Sequence, residues 1–171
     1  MGKVYVLTGL ACNGKTTIAQ QFRDRFIVVS EPVRYLESHD LPLEVRQRIY
    51  LSVALAQWDA IVQIPANILM DRCFVDVLAF TVALTSSSVE VPRRIPERVE
   101  FLYIEPPPRD ILEICFMDPV RRATLPKDRY HEIESRFRQA YREIVGSKMK
   151  VFPHPATSDE VIRYLKESIY T

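Results

Sequence analysis

Glycine is scarce in this chain. Ordinary proteins carry about 7% glycine, so 171 residues would be expected to hold about twelve. The sequence has 4, and two of them, Gly9 and Gly14, lie close together near the N-terminus. Glycine tolerates positive φ and close backbone approach, so this clustering marks one short segment as a place where the backbone does something special. The scarcity also leaves no glycine-rich linker to divide the chain. The expectation is a single domain over residues 1–171 with a sizeable core, since chains of about 150 residues bury roughly 68–70% of their unfolded surface.

Other absences narrow the function. Lys and Arg total 23 against 22 Asp and Glu, a formal net charge of +1, which gives no reason to expect a polymeric nucleic acid as partner. No apolar run approaches the roughly 20 residues of a membrane span, and the N-terminal residues lack the layout of a secretory signal. The 3 cysteines, Cys12, Cys73 and Cys115, are odd in number and widely spaced, which argues against a disulfide framework or a zinc site. His39, His131 and His154 show no ligand spacing. A cytoplasmic location is the resulting expectation.

What is present is alternation. Apolar runs at Lys3–Thr8, Phe26–Ser30, Ala66–Asp71, Val99–Ile104 and Met149–Phe152 read as strands. Between them, helical spacing covers Lys15 to about Arg25, Pro42 to about Gln63 (with Asp40 as cap), Cys73 to about Leu84 and about Lys127 to Val145. Thr157–Glu160 has the spacing of a capping box and opens a last helix. Gly146 follows the penultimate helix, where a left-handed C-cap is expected. Strands alternating with helices argue for a parallel sheet covered on both faces.

The glycine-bearing segment is Gly9-Leu10-Ala11-Cys12-Asn13-Gly14-Lys15-Thr16, followed by Thr17. It matches G-x-x-x-x-G-K-[ST] with a strand before it and a helix after it, the context in which such a loop wraps a phosphate with its backbone N–H groups. Lys15 is placed to reach β- and γ-phosphates and Thr16 to offer a hydroxyl to Mg²⁺. Cys12 reads as a variable loop position.

In an open parallel sheet the ligand lies at the carboxyl ends of the strands, so the residues that close the apolar runs are candidates. They are Glu31, Asp71-Arg72 and Glu105. Asp71 is a candidate second organiser of Mg²⁺, Arg72 a clamp for phosphate or substrate oxygen, and Glu31 a general base for an acceptor hydroxyl. Asp76 lies on an otherwise apolar helix and needs a partner; binding substrate and pairing with Arg72 are the two readings. Gln57-Trp58-Asp59 on the long helix could line an acceptor pocket, with Trp58 equally suited to the core. The stretch from Cys115 to Arg129 carries Arg121, Arg122 and Arg129 and reads as a lid, about residues 115–129, that would bring an arginine to transferring charge.

With these residues in view, the sequence resembles P-loop nucleoside and nucleotide kinases. Glu31-Pro32-Val33 is similar to the Glu-Pro-Val element of deoxynucleoside kinases. Asp71-Arg72 followed by Asp76 resembles an element of those kinases and of thymidylate kinases, with spacing one residue shorter than expected for the former. The layout is closest to the ribosylnicotinamide-kinase-like small ATPase/kinase family, in Glu31 and Arg34, Gln57, Asp71-Arg72 with Asp76, Ala79 and Phe80, and Asp118 with Arg121. Pro119 in the lid and Cys12-Asn13 in the loop depart from the pattern.

The resemblance implies a three-layer α/β/α fold with strand order 2-3-1-4-5 and a helical lid. It implies ATP and Mg²⁺ as cofactors, with Gly9 to Thr17 binding the nucleotide. Lys15, Glu31, Arg72 and Arg121 would carry catalysis, Arg34, Gln57, Arg72 and Asp76 would contact the acceptor, and Thr16 and Asp71 would hold the metal. The expected partner is a small nucleoside- or nucleotide-like acceptor, and a homodimer is compatible with the pattern. Two rival readings stand: a nucleotide-dependent switch without a small-molecule acceptor, and a nucleoside monophosphate kinase with Arg34 and Arg72 as acceptor-phosphate cations. A guanine-selective switch would want an N/T-K-x-D element late in the chain, and Pro153–Thr157 holds none.

Overall fold

The computed structural model describes residues 2–32, 41–117, 125, 127–153 and 157–168. The short apolar runs extend as strands because their β-branched and aromatic residues suit a pleated surface, fully buried in β1 and β3 and partly exposed in the edge strands. The strands are β1 (Val4–Thr8), β2 (Ile27–Val29), β3 (Ile68–Asp71), β4 (Val99–Ile104) and β5 (Met149–Phe152). They form one parallel sheet in the order β2-β3-β1-β4-β5. The central strands β1 and β3 are buried along their whole length, as continuous apolar runs in a doubly covered sheet should be.

The period of two along each strand divides the apolar side chains between two layers. Val4, Val6, Ile68, Met70, Val99, Phe101 and Tyr103 face one layer. Packed on it are α2 (Leu43–Ile61), α3 (Phe74–Thr85) and α5 (Tyr130–Val145). Tyr5, Leu7, Leu69, Leu102 and Ile104 face the other layer, against α1 (Lys15–Gln20) and α6 (Thr157–Ser168), whose Ile18, Phe22 just beyond α1, Val161 and Leu165 are buried there. A short helix α4 (Arg109–Cys115) follows the proline run after β4. The result is the three-layer α/β/α arrangement, with the strand order that the resemblance implies.

Boundaries differ from the sequence reading in a few places. The helix after the glycine loop stops at Gln20 rather than Arg25, because the chain tightens into i→i+3 turns: Gln21 N–H donates to Ile18 O (3.1 Å) and Phe22 N–H to Ala19 O (3.1 Å). β2 begins at Ile27, since the Phe26 N–H is already donated to Phe22 O at 2.9 Å. Pro42, with no N–H to leave unsatisfied, occupies the N-cap of α2; the cap expected from Asp40 lies outside the described residues. Gly146 has the positive φ expected of it (58°), but its ψ of −131° is not the left-handed helical value. The chain turns directly into a 3₁₀ turn, Gly146–Lys148, and then β5.

Parallel strands place all their carboxyl ends on one edge. Leu7 is in register with Asp71 and Leu102, and Thr8 with Tyr103. The loop after β1, Arg72 after β3 and Glu105 after β4 therefore meet at one rim.

Candidate functional site

The loop begins where β1 leaves the core. Gly9 has φ +118°, Cys12 φ 75° and Gly14 φ 79°, a run of left-handed positions that curls the backbone. Gly14 is the N-cap of α1 and makes no side-chain cap, so the first N–H groups of the helix are not consumed by a capping side chain. Lys15 folds back over the loop. Its Nζ donates to Gly9 O (3.0 Å), Leu10 O (2.7 Å) and Asn13 Oδ1. Burial, aided by the Arg72 charge, lowers its pKa to about 7, against the opposing pull of Asp71, Glu31 and Asp76. A buried lysine beside a helix start with no capping side chain is an arrangement an anion would complete.

Asp71 closes β3 and its Oδ2 accepts a hydrogen bond from Thr16 Oγ1 at 2.6 Å. These two groups, 55 residues apart in sequence, offer a hydroxyl and a carboxylate, both hard oxygen donors. Among the described residues no cluster of three or more His, Cys, Asp or Glu side chains could hold a metal. That combination suits Mg²⁺, which binds through one or two protein oxygens and takes the remainder from phosphate and water.

Arg72 directly follows β3 with φ +68°, a conformation that costs a non-glycine residue about 1 kcal/mol or more. Its backbone N–H is held by Leu7 O at 3.0 Å, and its side chain bridges two acids. Nε lies 3.1 Å from Glu31 Oε1 and Nη1 3.9 Å from Asp76 Oδ1. Burial acts to lower the Arg72 pKa, but Glu31, Asp76 and Asp71 outweigh it and the guanidinium stays charged. The charge contacts thus hold a backbone conformation that the residue would not choose for itself.

Asp76 is saturated. Oδ1 accepts from Thr8 Oγ1 (2.6 Å); Oδ2 accepts from the Cys73 backbone N–H (2.9 Å) and from Tyr141 OH (3.3 Å). The Cys73 contact is half of a capping box that starts α3, the Cys73 side chain accepting in return from the Asp76 N–H. Burial raises the Asp76 carboxyl, with Arg72 and Thr8 pulling back. Burial and the neighbouring Asp76 also raise the Tyr141 hydroxyl, so it remains a donor. Asp76 also stands 3.9 Å from Arg72, the pairing that is one of the two readings open for it.

Other sequence candidates divide. Gln57 reaches the same rim, its Nε2 donating to Ser30 O at 3.3 Å, while its buried Oε1 has no hydrogen-bond partner. Trp58 is core, edge-to-face on Phe74 with ring centroids 5.0 Å apart, and Asp59 faces outward to pair with Arg93 at 2.9 Å. Glu105 pairs with Arg138 at 2.9 Å. Arg129 pairs with Glu132, three residues on, at an exposed position. Arg34, Asp118, Arg121 and Arg122 lie outside the described residues, as does most of the expected lid.

Sequence reasoning passed over Thr8, Tyr130 and Tyr141. Tyr130 and Tyr141 read as part of the apolar stripe of α5, yet Tyr130 OH donates to Ala11 O at 3.2 Å and Tyr141 OH to Asp76. The available signal was their chemistry: a buried tyrosine hydroxyl needs a partner.

No protein-family model matches this sequence, and no curated protein matches it. Solved structures do. The chain superimposes on deoxyadenosine kinase from M. mycoides, solved with bound dATP, with a TM-score of 0.74 and 13% identity, covering 98% of this chain and 100% of that one. Thymidylate kinase from Candida albicans gives a TM-score of 0.64 at 16% identity over 99% of this chain and 91% of the other. A Bacillus subtilis protein in complex with phosphorylated GDP gives 0.58 at 14% identity over 98% and 95%. The shared feature is the P-loop α/β/α fold along nearly the full chain.

Proposed function

We propose that this chain is an ATP- and Mg²⁺-dependent phosphotransferase that moves a γ-phosphoryl group to a hydroxyl of a small nucleoside-like acceptor. The observation that carries the reading is the chain of contacts Glu31–Arg72–Asp76 set beside the Thr16–Asp71 pair on one rim of the sheet. It puts a carboxylate suited to a hydroxyl next to a loop suited to phosphates. Neighbours of the same fold include kinases of deoxynucleosides and of thymidylate, which supports the class without naming the acceptor. The described helices include none long and apolar enough to cross a membrane.

In this reading the loop amides and Lys15 hold the β- and γ-phosphates. Thr16 and Asp71 would hold Mg²⁺, which when bound would neutralise phosphate charge. Gln57, with an unpaired carbonyl oxygen, faces the acceptor. Glu31 orients the acceptor hydroxyl and takes its proton as the oxygen attacks the γ-phosphorus; the bond to the β–γ bridging oxygen breaks and ADP leaves. Arg72 keeps Glu31 in place and offsets charge on the transferring group. Catalysis is then mostly positioning and charge complementarity.

A nucleoside suits the site better than a monophosphate. The Arg72 charge is already matched by Glu31 and Asp76, and a second phosphate would face the Glu31 carboxylate.

The test is ADP release across a panel of nucleosides, nucleoside monophosphates and ribosylnicotinamide. One nucleoside-like acceptor should raise turnover well above the water background; if none does, the switch reading takes its place. Glu31→Gln should lower kcat by about 10²- to 10⁴-fold with ATP affinity retained. An unchanged kcat would remove Glu31 from the mechanism.

A further inference from the structure

Asn13 sits inside the phosphate loop and is almost fully buried, at 5% exposure. Its carboxamide spans two groups of opposite character. Nδ2 donates to Ile104 O, the last residue of β4, at 2.9 Å, and Oδ1 accepts from Lys15 Nζ. The orientation of the amide is forced, since an ammonium can only donate and a carbonyl can only accept. Gly9 leaves room for this crossing: a Cβ there would lie 2.4 Å from Asn13 Nδ2 and 2.4 Å from Ile104 O.

No other side chain of the right size does both jobs. Serine is too short to reach from the loop to β4 and to Lys15 at once. Aspartate can accept from Lys15 but turns an oxygen toward the Ile104 carbonyl. Glutamine adds a methylene to a closed space. The remaining acceptors of Nζ, Gly9 O and Leu10 O, belong to the loop backbone. Asn13 is therefore the side chain that links the carboxyl end of β4 to the Lys15 ammonium.

We propose that Asn13 is a positioning residue for Lys15, tying the ammonium to the carboxyl end of β4 so that it meets the nucleotide phosphates in a fixed place. The proposal rests on the phosphotransferase reading for its consequence, but the contact itself is testable without turnover. Lys15 is labelled in the intact chain with an amine-reactive acetylating reagent at one fixed pH and followed by peptide mass spectrometry. Wild type is compared with Asn13→Ala, which loses both bonds, and Asn13→Asp, which keeps an acceptor for Lys15 and loses the bond to Ile104.

Asn13→Ala should label several-fold faster and lower kcat by about tenfold, the scale of one lost hydrogen bond to a charged group. KM for ATP should change less than kcat, and the melting temperature should stay within a few degrees of wild type. Asn13→Asp, which keeps an acceptor for Lys15 but loses the anchor on β4, should label faster than wild type and slower than Asn13→Ala. Labelling of Asn13→Ala at the wild-type rate overturns the proposal, as does labelling of Asn13→Asp at the wild-type rate, which would leave the bond to β4 with no part in holding Lys15. Absence of ATP protection of Lys15 in wild type would overturn the phosphotransferase reading instead, leaving the comparison between variants to decide the role of Asn13.

Discussion

Two strand-to-helix junctions build the rim, and they hold their polar groups in different ways. Between β1 and α1 the chain takes a long turn with positive φ at Gly9, Cys12 and Gly14; its polar atoms are largely backbone, and its one cation rests on the loop's own acceptors. Between β3 and α3 only Arg72 and Cys73 intervene, and the polar atoms are side chains locked to one another. The contrast is sharpest in the two acids of the second junction. Asp71 faces the first junction and accepts from Thr16. Asp76 faces inward and accepts from Thr8, Cys73 and Tyr141 while standing near Arg72. Under the proposed function the lesson is a division of labour: the carboxylate aimed at the loop would serve a ligand, and the saturated one would hold the frame.

The largest way to break this comparison is Asp71→Asn. The change is isosteric and still offers Thr16 an acceptor, so the fold should be little affected. If Asp71 organises Mg²⁺ as proposed, kcat/KM should fall by about 10²- to 10³-fold, and more Mg²⁺ should be needed for half-maximal rate. Steady-state ADP release over a Mg²⁺ series, with a melting curve alongside, separates the two effects. Normal activity would make Asp71 another frame residue.

Asp76 should show the converse. Asp76→Ala strands the Thr8 and Tyr141 hydroxyls, the Cys73 N–H and one side of Arg72, at a cost of about 3 kcal/mol. For a chain of this size that is a melting temperature lower by about 6–12 °C, read by calorimetry. The isosteric Asp76→Asn tests the electrostatics. Burial raises the folded carboxyl above its ordinary value of 3.8, so between those values the folded chain keeps a proton that the unfolded chain has released. Stability from this group accordingly declines as pH rises through the window. Wild type should lose stability relative to Asp76→Asn as pH climbs from 3.8, and the gap should level off above the folded value. A wild type that instead gained stability relative to Asp76→Asn with rising pH would show that the carboxylate stabilises by its charge.

The comparison was half visible in the sequence. The loop pattern, the strand before it and the helix after it are local properties, set by glycine positions and apolar period, and the fold places them as expected. So are the acids that end β2 and β3, because parallel topology sends all carboxyl ends to one rim. What decides the fate of each acid is not local. Tyr141 lies 65 residues from Asp76 and Thr8 lies 68 away; the hydroxyl of Tyr141 is invisible in a helical stripe that reads as apolar. Asn13 likewise reads as one more loop residue until β4, 91 positions later, supplies the carbonyl opposite it. The positive φ of Arg72 had no sequence signal at all, since it is imposed by contacts with Glu31, Asp76 and Leu7 O.

The smallest expected effect probes how far the frame extends from the rim. Tyr141 comes from α5 and gives Asp76 its longest hydrogen bond, 3.3 Å, while its ring packs on Phe101 and Phe137 in the main core. Tyr141→Phe keeps the packing and removes the one donor. Asp76 Oδ2 retains the Cys73 N–H, so no acceptor is left bare, and the cost should be about 1 kcal/mol, a melting temperature about 2–4 °C lower. Because Arg72 approaches Oδ1, not Oδ2, its hold on Glu31 should survive and kcat should stay within about threefold, the scale of a hydrogen bond one step removed from the reacting groups. A loss of activity on the scale of Asp71→Asn would mean that α5 tunes the Arg72 corner directly, and the division between a ligand-facing acid and a framing acid would no longer hold.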